Sequence, residues 1–159
     1  MSREQLTSMA GVKLTTSSTT KQHDLGTVVW DNVGNAYRYV QNILADSIAI
    51  ADGTVVYPTI THGVVSPDFA GGSGLTTNVV GVGISAIAAG SYGWVQVSGY
   101  HDKVKTDAGV AAADFLVGHS VDGEADTMAD GEEEQVFGQA LTADTVTEPH
   151  SCAAVLRIL

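Results

Sequence analysis

The chain has 159 residues, of which 44% are hydrophobic and 16% are charged, and its formal net charge at pH 7 is −11. This length suits one domain with a hydrophobic core, or two very small barrels in tandem, and the hydrophobic content excludes a wholly disordered chain. So negative a protein repels phosphate groups, which argues against nucleic acids and anionic membranes as partners.

The first 27 residues are rich in Ser and Thr and follow neither a helical nor a strand period. They carry three of the seven basic residues, Arg3, Lys13 and Lys21. We therefore predict a flexible or partner-ordered N-terminal arm at residues 1–27, ahead of a β-rich body at residues 28–159. An ordinary mobile terminus is the alternative interpretation.

Features that would direct the chain to a membrane or an oxidising compartment are missing from the sequence. No segment reaches the roughly 18 apolar residues of a transmembrane helix, and the opening MSREQL leads into no apolar signal-peptide core. We expect the protein to be made and kept in a cytoplasm, or released by lysis. The lone Cys152 can form no internal disulfide and is predicted to be a small buried core residue. A nucleophile assisted by His150, two residues away, is the alternative role.

Two apolar stretches, VVW at residues 28–30 and AYRYV at residues 36–40, flank the turn-like sequence DNVGN. This pattern predicts a β-hairpin, or a loop entering a strand. Alternation places Tyr37 and Tyr39 on one face. We predict that Trp30, Tyr37 and Tyr39 pack on the core or at a subunit contact. Stacking on a base or a sugar is the alternative, and the net charge disfavours it.

The middle of the chain predicts three strands separated by glycine-rich turns. The strand at residues 54–57 ends at Pro58, or lies at an edge because of it. The connection at residues 61–78 contains GGSG, but Leu-Thr follows where a phosphate-binding loop needs Gly-Lys, so we predict a surface loop. Strands at residues 79–86 and 92–97 then flank an Ala-Gly-Ser turn.

The last third of the chain combines short strands with most of the acidic residues. We predict strands at residues 115–118, 136–143 and 151–159. The acidic segment at residues 119–135 is predicted to be a solvated loop. Alternation also predicts four exposed polar side chains in a short strand before these segments: His101, Asp102, Lys103 and Lys105.

The sequence contains a weak internal repeat at a separation of about 60 residues. ADGTVV at residues 51–56 resembles AADFLV at residues 112–117, and VVGVGI in the first half resembles QVFGQAL in the second. Each half then closes on an apolar strand. We predict a mainly β fold, a small antiparallel β-barrel or sandwich with two similar halves at residues 36–100 and 101–159. One barrel and two packed subdomains both fit this pattern.

No motif in the sequence predicts catalysis or a bound cofactor. The five histidines are scattered and show no metal-ligand spacing. DGEAD at residues 122–126 lacks the glycine position and the bidentate glutamate of a calcium loop, so a weak surface cation site is only the alternative to a solvated loop. GISAI at residues 83–87 lacks the second glycine of a nucleophile elbow. We predict no enzyme, no cofactor and no metal site.

Four stretches resemble the head decoration, or cement, proteins of tailed bacteriophages. They are an AxGD-like turn with its strand at residues 50–57, a VVGVA-like strand with an AAGxxGWVQVxG-like hairpin at residues 79–99, a VAAGDxL-like turn at residues 110–117, and a strand at residues 136–141. The resemblance spans roughly residues 36–159 and leaves the arm uncovered. The order Asp52-Gly53, and Ala113 in the second turn, depart from the Gly-Asp pattern.

The resemblance implies a non-enzymatic virion protein, often a homotrimer, that contacts the major capsid protein on the outer surface of a phage capsid and stabilises the expanded head. The predicted capsid contacts are the basic arm residues and the nearby aromatic residues: Arg3, Lys13, Lys21, Trp30, Tyr37 and Tyr39. Another virion component is the first alternative, such as a tail, fibre-base or head-surface adhesion protein. A ligand-binding barrel or an enzyme is the second.

Overall fold

Short β-strands account for nearly all the regular structure in this computed structural model, which describes residues 7, 8, 10–69 and 78–159. The ten strands in these residues are β1 (Val28–Trp30), β2 (Ala36–Asn42), β3 (Val55–Pro58), β4 (Val64–Ser66), β5 (Gly81–Gly83), β6 (Tyr92–Lys105), β7 (Phe115–Gly118), β8 (Ala125–Thr127), β9 (Gly138–Ala140) and β10 (Ser151–Arg157). A 3₁₀ turn spans Glu133–Gln135. The predicted mainly β fold is confirmed.

Five strands form a closed ring in the first half of the chain. β2 pairs with β6 in antiparallel fashion along most of its length. β6 pairs with β5, β5 with β3, and β3 with β4. β4 then returns to β2 in parallel, with Asn42 opposite Val65. The first ring therefore has the closed order β2-β4-β3-β5-β6, and β1 pairs with β2 as the predicted hairpin.

The second half forms a second ring. Its first strand is the C-terminal part of β6, which pairs with β10 from Ser98 to Lys105. β10 pairs with β9, β9 with β7, and β7 with β8. A parallel bridge between Thr106 and Ala125 connects β8 back to the end of β6. The 14-residue β6 belongs to both rings and joins them without a linker.

The strand registers of the two rings match. β3 pairs with β4 so that Tyr57 lies opposite Ser66, and β7 pairs with β8 so that Val117 lies opposite Asp126. β9 is the second-ring equivalent of β5. The register of β9 with β7 matches that of β5 with β3, and the register of β9 with β10 matches that of β5 with β6. Equivalent positions are therefore about 60 residues apart, as in the sequence repeat.

The hydrophobic core has one part inside each ring. The first ring encloses Ala36, Val40, Ile50, Val56, Val65, Ile87, Val95 and Val97. The second ring encloses Val104, Val110, Leu116, Ala125, Phe137, Ala140, Cys152, Ala154 and Leu156. The second cluster also includes Val55, Tyr57 and Val82, which alternate with the inward residues of β3 and β5. The second ring thus packs on the outer face of the first.

Several elements differ in extent from their predictions. β7 has the predicted bounds, whereas β5 and β9 are shorter than the strands predicted at residues 79–86 and 136–143. β4 and β8 lie in segments predicted to be loops, because strands of three residues leave too short a pattern among glycines and acidic residues. The GGSG sequence and the Leu-Thr after it lie outside the described residues.

The prediction that His101 is exposed was wrong, because its side chain is completely buried. Its Nε2 lies 3.0 Å from the carbonyl oxygen of Gly83, and its Nδ1 accepts a hydrogen bond of 3.1 Å from the N–H of Lys103. Asp102 and Lys103 are exposed as predicted. A buried imidazole is tolerated here because both ring nitrogens have partners.

Candidate interaction surfaces

The described part of the N-terminal arm packs on the first ring. Leu14 is completely buried in a cluster with Tyr37, Tyr39, Ile84 and Trp94. The main chain of the arm is also attached to β6, since Ser18 and Tyr92 exchange two hydrogen bonds of 3.0 and 2.8 Å. The arm was predicted to be flexible or ordered by a partner, and its described residues from 10 onward contact the chain's own first ring.

Tyr37 and Tyr39 lie on one face, as alternation predicted, and that face is buried beneath the arm. The hydroxyl of Tyr37 donates a 3.0 Å hydrogen bond to Asp31, and the hydroxyl of Tyr39 accepts one of 3.0 Å from the N–H of Gln22. Their exposed fractions are 1% and 2%. Both tyrosines therefore pack within the chain, and neither presents its ring to a partner.

Asp31 organises the turn between β1 and β2. Its carboxylate accepts hydrogen bonds from the N–H groups of Val33 and Asn35, both at 2.9 Å, from the Asn35 side-chain amide at 2.8 Å and from Tyr37. Burial disfavours the ionised form, but these hydrogen bonds outweigh burial and hold the pKa of Asp31 below its usual value. This carboxylate is a structural group.

The other predicted contact residues lie at the surface or outside the described residues. Lys21 is exposed and lies 3.5 Å from Asp24. Lys13 is exposed and borders a 270 Å³ cleft that also includes His23 and Trp94. Trp30 is 52% exposed on β1. Arg3 lies outside the described residues. The basic arm residues and Trp30 are thus available to a partner wherever they are described.

A larger pocket lies at one end of the first ring, with a volume of about 400 Å³. Arg38, His62 and Thr59 contribute polar groups, while Val40 and Val80 contribute apolar walls. The guanidinium of Arg38 could attract a carboxylate, and the residues that line the pocket include no Asp or Glu to act with His62 as an acid–base pair. The pocket therefore supplies binding groups rather than a paired acid and base.

The second ring exposes a row of mostly apolar side chains that the sequence interpretation missed. Tyr100, Val155, Gln139 and Phe115 lie opposite one another across β6, β10, β9 and β7. Directly opposed residues of paired strands point to the same side of the sheet, so these four side chains share the outer face. Tyr100 is 54% exposed and Phe115 is 44% exposed. We call these four residues the open row.

Two histidines sit among acidic groups at the surface of the second ring. Nε2 of His119 lies 3.8 Å from Asp107, and its Nδ1 lies 3.9 Å from Glu124. His150 lies 3.3 Å from Asp144, and its pKa is raised by a hydrogen bond to the Thr145 carbonyl and by nearby carboxylates. Across the described ranges, no three His, Cys, Asp or Glu side chains are arranged to hold a metal ion.

Cys152 is buried in the second ring, as the sequence predicted. Burial, with a smaller effect of the Asp144 carboxylate, raises the pKa of the thiol to about 11. The reactive thiolate is therefore scarce at neutral pH, and a role as nucleophile is disfavoured.

In the portion of the chain that the structure describes, no helix has the length and apolar character needed to cross a membrane. No protein-family model, curated protein or solved structure matches the chain. The fold and surfaces of the chain itself are therefore the basis for a functional proposal.

Proposed function

We propose that this chain is a non-enzymatic structural protein of a tailed-bacteriophage virion. In this role it binds the major capsid protein on the outer surface of the head and stabilises the expanded shell, as a decoration or cement protein. It has no cofactor, and it acts through protein contacts with the capsid and with copies of itself, as a homotrimer.

The observation that carries the proposal is that two of the motifs resembling decoration proteins lie at equivalent positions, in the turns that precede β3 and β7. In the first turn, the N–H of Ala51 donates a 3.0 Å hydrogen bond to Oγ1 of Thr54. In the second, the N–H of Ala111 donates one of 2.8 Å to Oδ2 of Asp114. These motifs build the same turn twice, at the entry to β3 and to β7, and thus support a scaffold rather than a catalytic role.

The surface of the protein also favours contact with other proteins. Large apolar side chains are exposed in both halves of the molecule, among them Trp30 and Val33 on the hairpin of β1 with β2 and Tyr100 and Phe115 on the second ring. The described titratable groups with lowered or raised pKa values, such as Asp31 and Tyr57, have structural partners. Exposed apolar side chains on a rigid β framework are typical of binding surfaces.

The charge distribution fits an outward-facing capsid protein. Residues 101–159 contain 12 acidic and 3 basic residues, whereas residues 1–100 contain 6 acidic and 4 basic residues. The acidic half would face solvent, where the capsid shell separates it from the packaged DNA. The less acidic half, with Lys13, Lys21 and Trp30 exposed, would face the capsid.

Copy number in purified virions tests this proposal. Quantitative mass spectrometry would measure the chain against the major capsid protein in particles of the source phage. We expect one copy per capsid subunit, or a simple fraction of that number. A dozen or a few dozen copies per particle would instead indicate a tail, fibre-base or vertex component, and absence from particles would overturn the virion role.

A further inference from the structure

The open row has an equivalent in the first ring, and the two differ in burial. The matched registers place Tyr100 at the position equivalent to Tyr37, and Phe115 at the position equivalent to Val55. In the open row, Val155 and Gln139 lie between Tyr100 and Phe115. Tyr37 is 1% exposed and Val55 is completely buried. The two rings thus have equivalent rows of outward-facing side chains. The first-ring residues Tyr37 and Val55 are buried, whereas the second-ring residues Tyr100 and Phe115 are exposed to solvent.

The second ring covers part of the first-ring row. Val55 and Val82 pack in one cluster with the core of the second ring. The main chain reinforces this contact, since the N–H of Val55 donates a 2.9 Å hydrogen bond to Gly123, and that of Lys105 donates one of 2.9 Å to Gly53. The hydroxyl of Tyr57 on β3 also donates a 3.2 Å hydrogen bond to the carbonyl of His119, so the β7–β8 loop lies against the outer face of β3.

The neighbourhood of the open row repeats this contrast. Leu141 follows β9, and Ile84 occupies the equivalent position after β5. Leu141 is 47% exposed, whereas Ile84 is 3% exposed beneath the N-terminal arm. The residues that the structure describes thus cover the outer face of the second ring less fully than that of the first.

We infer that the open row is a self-association surface, and that its occupant is the first ring of a second copy of this chain. Within one molecule, the second ring packs on the outer face of the first ring. In the proposed contact, the first ring of the second copy packs in the same way on the outer face of the second ring. The open row accepts the β3–β4 loop of the second copy, which is equivalent to the β7–β8 loop. Ile60, which is 76% exposed in that loop, provides the apolar contact to Phe115.

Charge favours this head-to-tail arrangement over a two-fold one. Two open rows facing each other would bring together two halves that each carry 12 acidic and 3 basic residues. Head-to-tail contact sets this acidic half against a half with 6 acidic and 4 basic residues. A head-to-tail interface can close into a ring of several copies. The inference rests on the proposed function in one respect, because it names the surface for the self-association included there, whereas capsid binding is tested separately by copy number in virions.

Sedimentation velocity of the purified full-length chain, over a range of concentrations, tests the inference. We expect the wild type to associate. Phe115→Glu and Ile60→Glu should each weaken association by at least about 30-fold, because each puts a charge at the centre of the contact. Val146→Glu, at a residue that is 96% exposed outside both surfaces, is the matched control and should associate like the wild type.

Mixing the two charged variants separates the head-to-tail arrangement from a two-fold one. One chain then offers an intact β3–β4 loop and the other an intact open row, so the mixture should form a one-to-one dimer although each variant alone is monomeric. A mixture that stays monomeric overturns the head-to-tail contact, and a wild type that is monomeric at all concentrations overturns self-association. Circular dichroism verifies folding, and Leu141→Glu replaces Phe115→Glu if the latter unfolds.

Discussion

Gly53 and Ala113 occupy the same position in the two repeated turns, and both have positive φ angles, 83° and 77°. The N–H of Gly53 donates a 2.9 Å hydrogen bond to the carbonyl oxygen of Gly83 in β5. The N–H of Ala113 donates one of 2.9 Å to the carbonyl oxygen of Ala140 in β9. Positive φ is costly for any residue with a Cβ atom. The second turn therefore keeps the geometry of the first at the cost of a strained alanine.

We predict opposite effects of substitution at these two positions. A Cβ atom at Gly53 would lie 2.2 Å from the carbonyl oxygen of Lys103, so Gly53→Ala should destabilise the protein by about 3 kcal/mol. Ala113→Gly should stabilise it by about 0.5 kcal/mol, because relief of strain exceeds the added entropy of the unfolded chain. Urea unfolding measures both values.

Gly131→Ala is the matched control for the steric part of this effect. Gly131 has φ 93°, and a Cβ atom there would meet nothing within 4 Å. Its substitution should cost only about 1 kcal/mol. Equal losses for Gly53→Ala and Gly131→Ala would contradict the close approach of the first turn to Lys103.

Asp31 should make the stability of the protein depend on pH. Its pKa is lower in the folded state, so the carboxylate contributes stability above the unfolded-state value, and that contribution is lost as pH falls through the folded-state pKa. Asp31→Asn should destabilise the protein by about 2 kcal/mol at pH 7. The difference between wild type and variant should begin to shrink below about pH 4, where the group becomes protonated in the unfolded chain, and should be lost as pH falls through the lower folded-state pKa.

Urea unfolding of both proteins between pH 7 and pH 2.5 measures this effect. Asp130→Asn provides a control for general changes in net charge, because Asp130 lies exposed in the acidic segment. A constant difference between wild type and Asp31→Asn across this range would contradict the assigned role of the carboxylate.

His101 should stabilise the junction of the rings through its two hydrogen bonds. His101→Phe keeps an aromatic ring but leaves the Gly83 carbonyl and the Lys103 N–H without these partners, so we expect a loss of about 2 kcal/mol in the free energy of unfolding. Tyr100→Phe, at the exposed neighbouring residue, should change stability by less than about 0.5 kcal/mol. Comparable losses for both variants would argue against a specific role of the imidazole.

Leu14 should anchor the arm on the aromatic cluster. Leu14→Ala removes a completely buried side chain and should cost about 3 kcal/mol. In a Trp30→Phe background, the emission of Trp94 should shift to the red because water reaches the indole ring. Thr19→Ala, at an exposed arm residue, is the control. Unchanged emission in Leu14→Ala would show that the arm does not cover Trp94.

Under the proposed function, the basic arm should contribute to capsid binding. Lys13→Glu should weaken binding of the full chain to purified expanded heads by about tenfold, or 1.4 kcal/mol. Lys103→Glu makes the same charge change at an exposed residue of β6 and should have little effect. Co-sedimentation with the heads measures both. Equal losses would indicate that only net charge matters, and no loss would remove the arm from the proposed contact.

The sequence predicted the β class and most strands because turn residues and alternation act locally. The turn before β7 and the hairpin of β1 with β2 could be found from a few residues each. Burial of His101 could not, because it depends on the pairing of β6 with β10, more than 40 residues away, and on a register shift between Cys152 and Ala154. Exposure of His101 was predicted from alternation and from its polar character. The folded chain buries the imidazole and satisfies both ring nitrogens with hydrogen bonds.

The candidate surfaces were harder to predict than the fold. Tyr37 and Tyr39 were correctly placed on one face, but only the folded chain shows that Leu14 covers it. The open row was missed because its four residues come from four different strands, and the pairing of those strands cannot be read from the sequence. Whether the outer side of a strand is covered depends on the packing of the arm and of the second ring, which bring together segments far apart in the sequence.

The continuous strand β6 has a mechanical consequence. Because its N-terminal part completes one ring and its C-terminal part begins the next, a hinge between the rings would require main-chain hydrogen bonds to break. The molecule should therefore resist bending and carry tension along its length as a single stiff body. A load applied at one end would reach the other with little deformation, and under the proposed function this stiffness would suit a protein that holds neighbouring capsid subunits together.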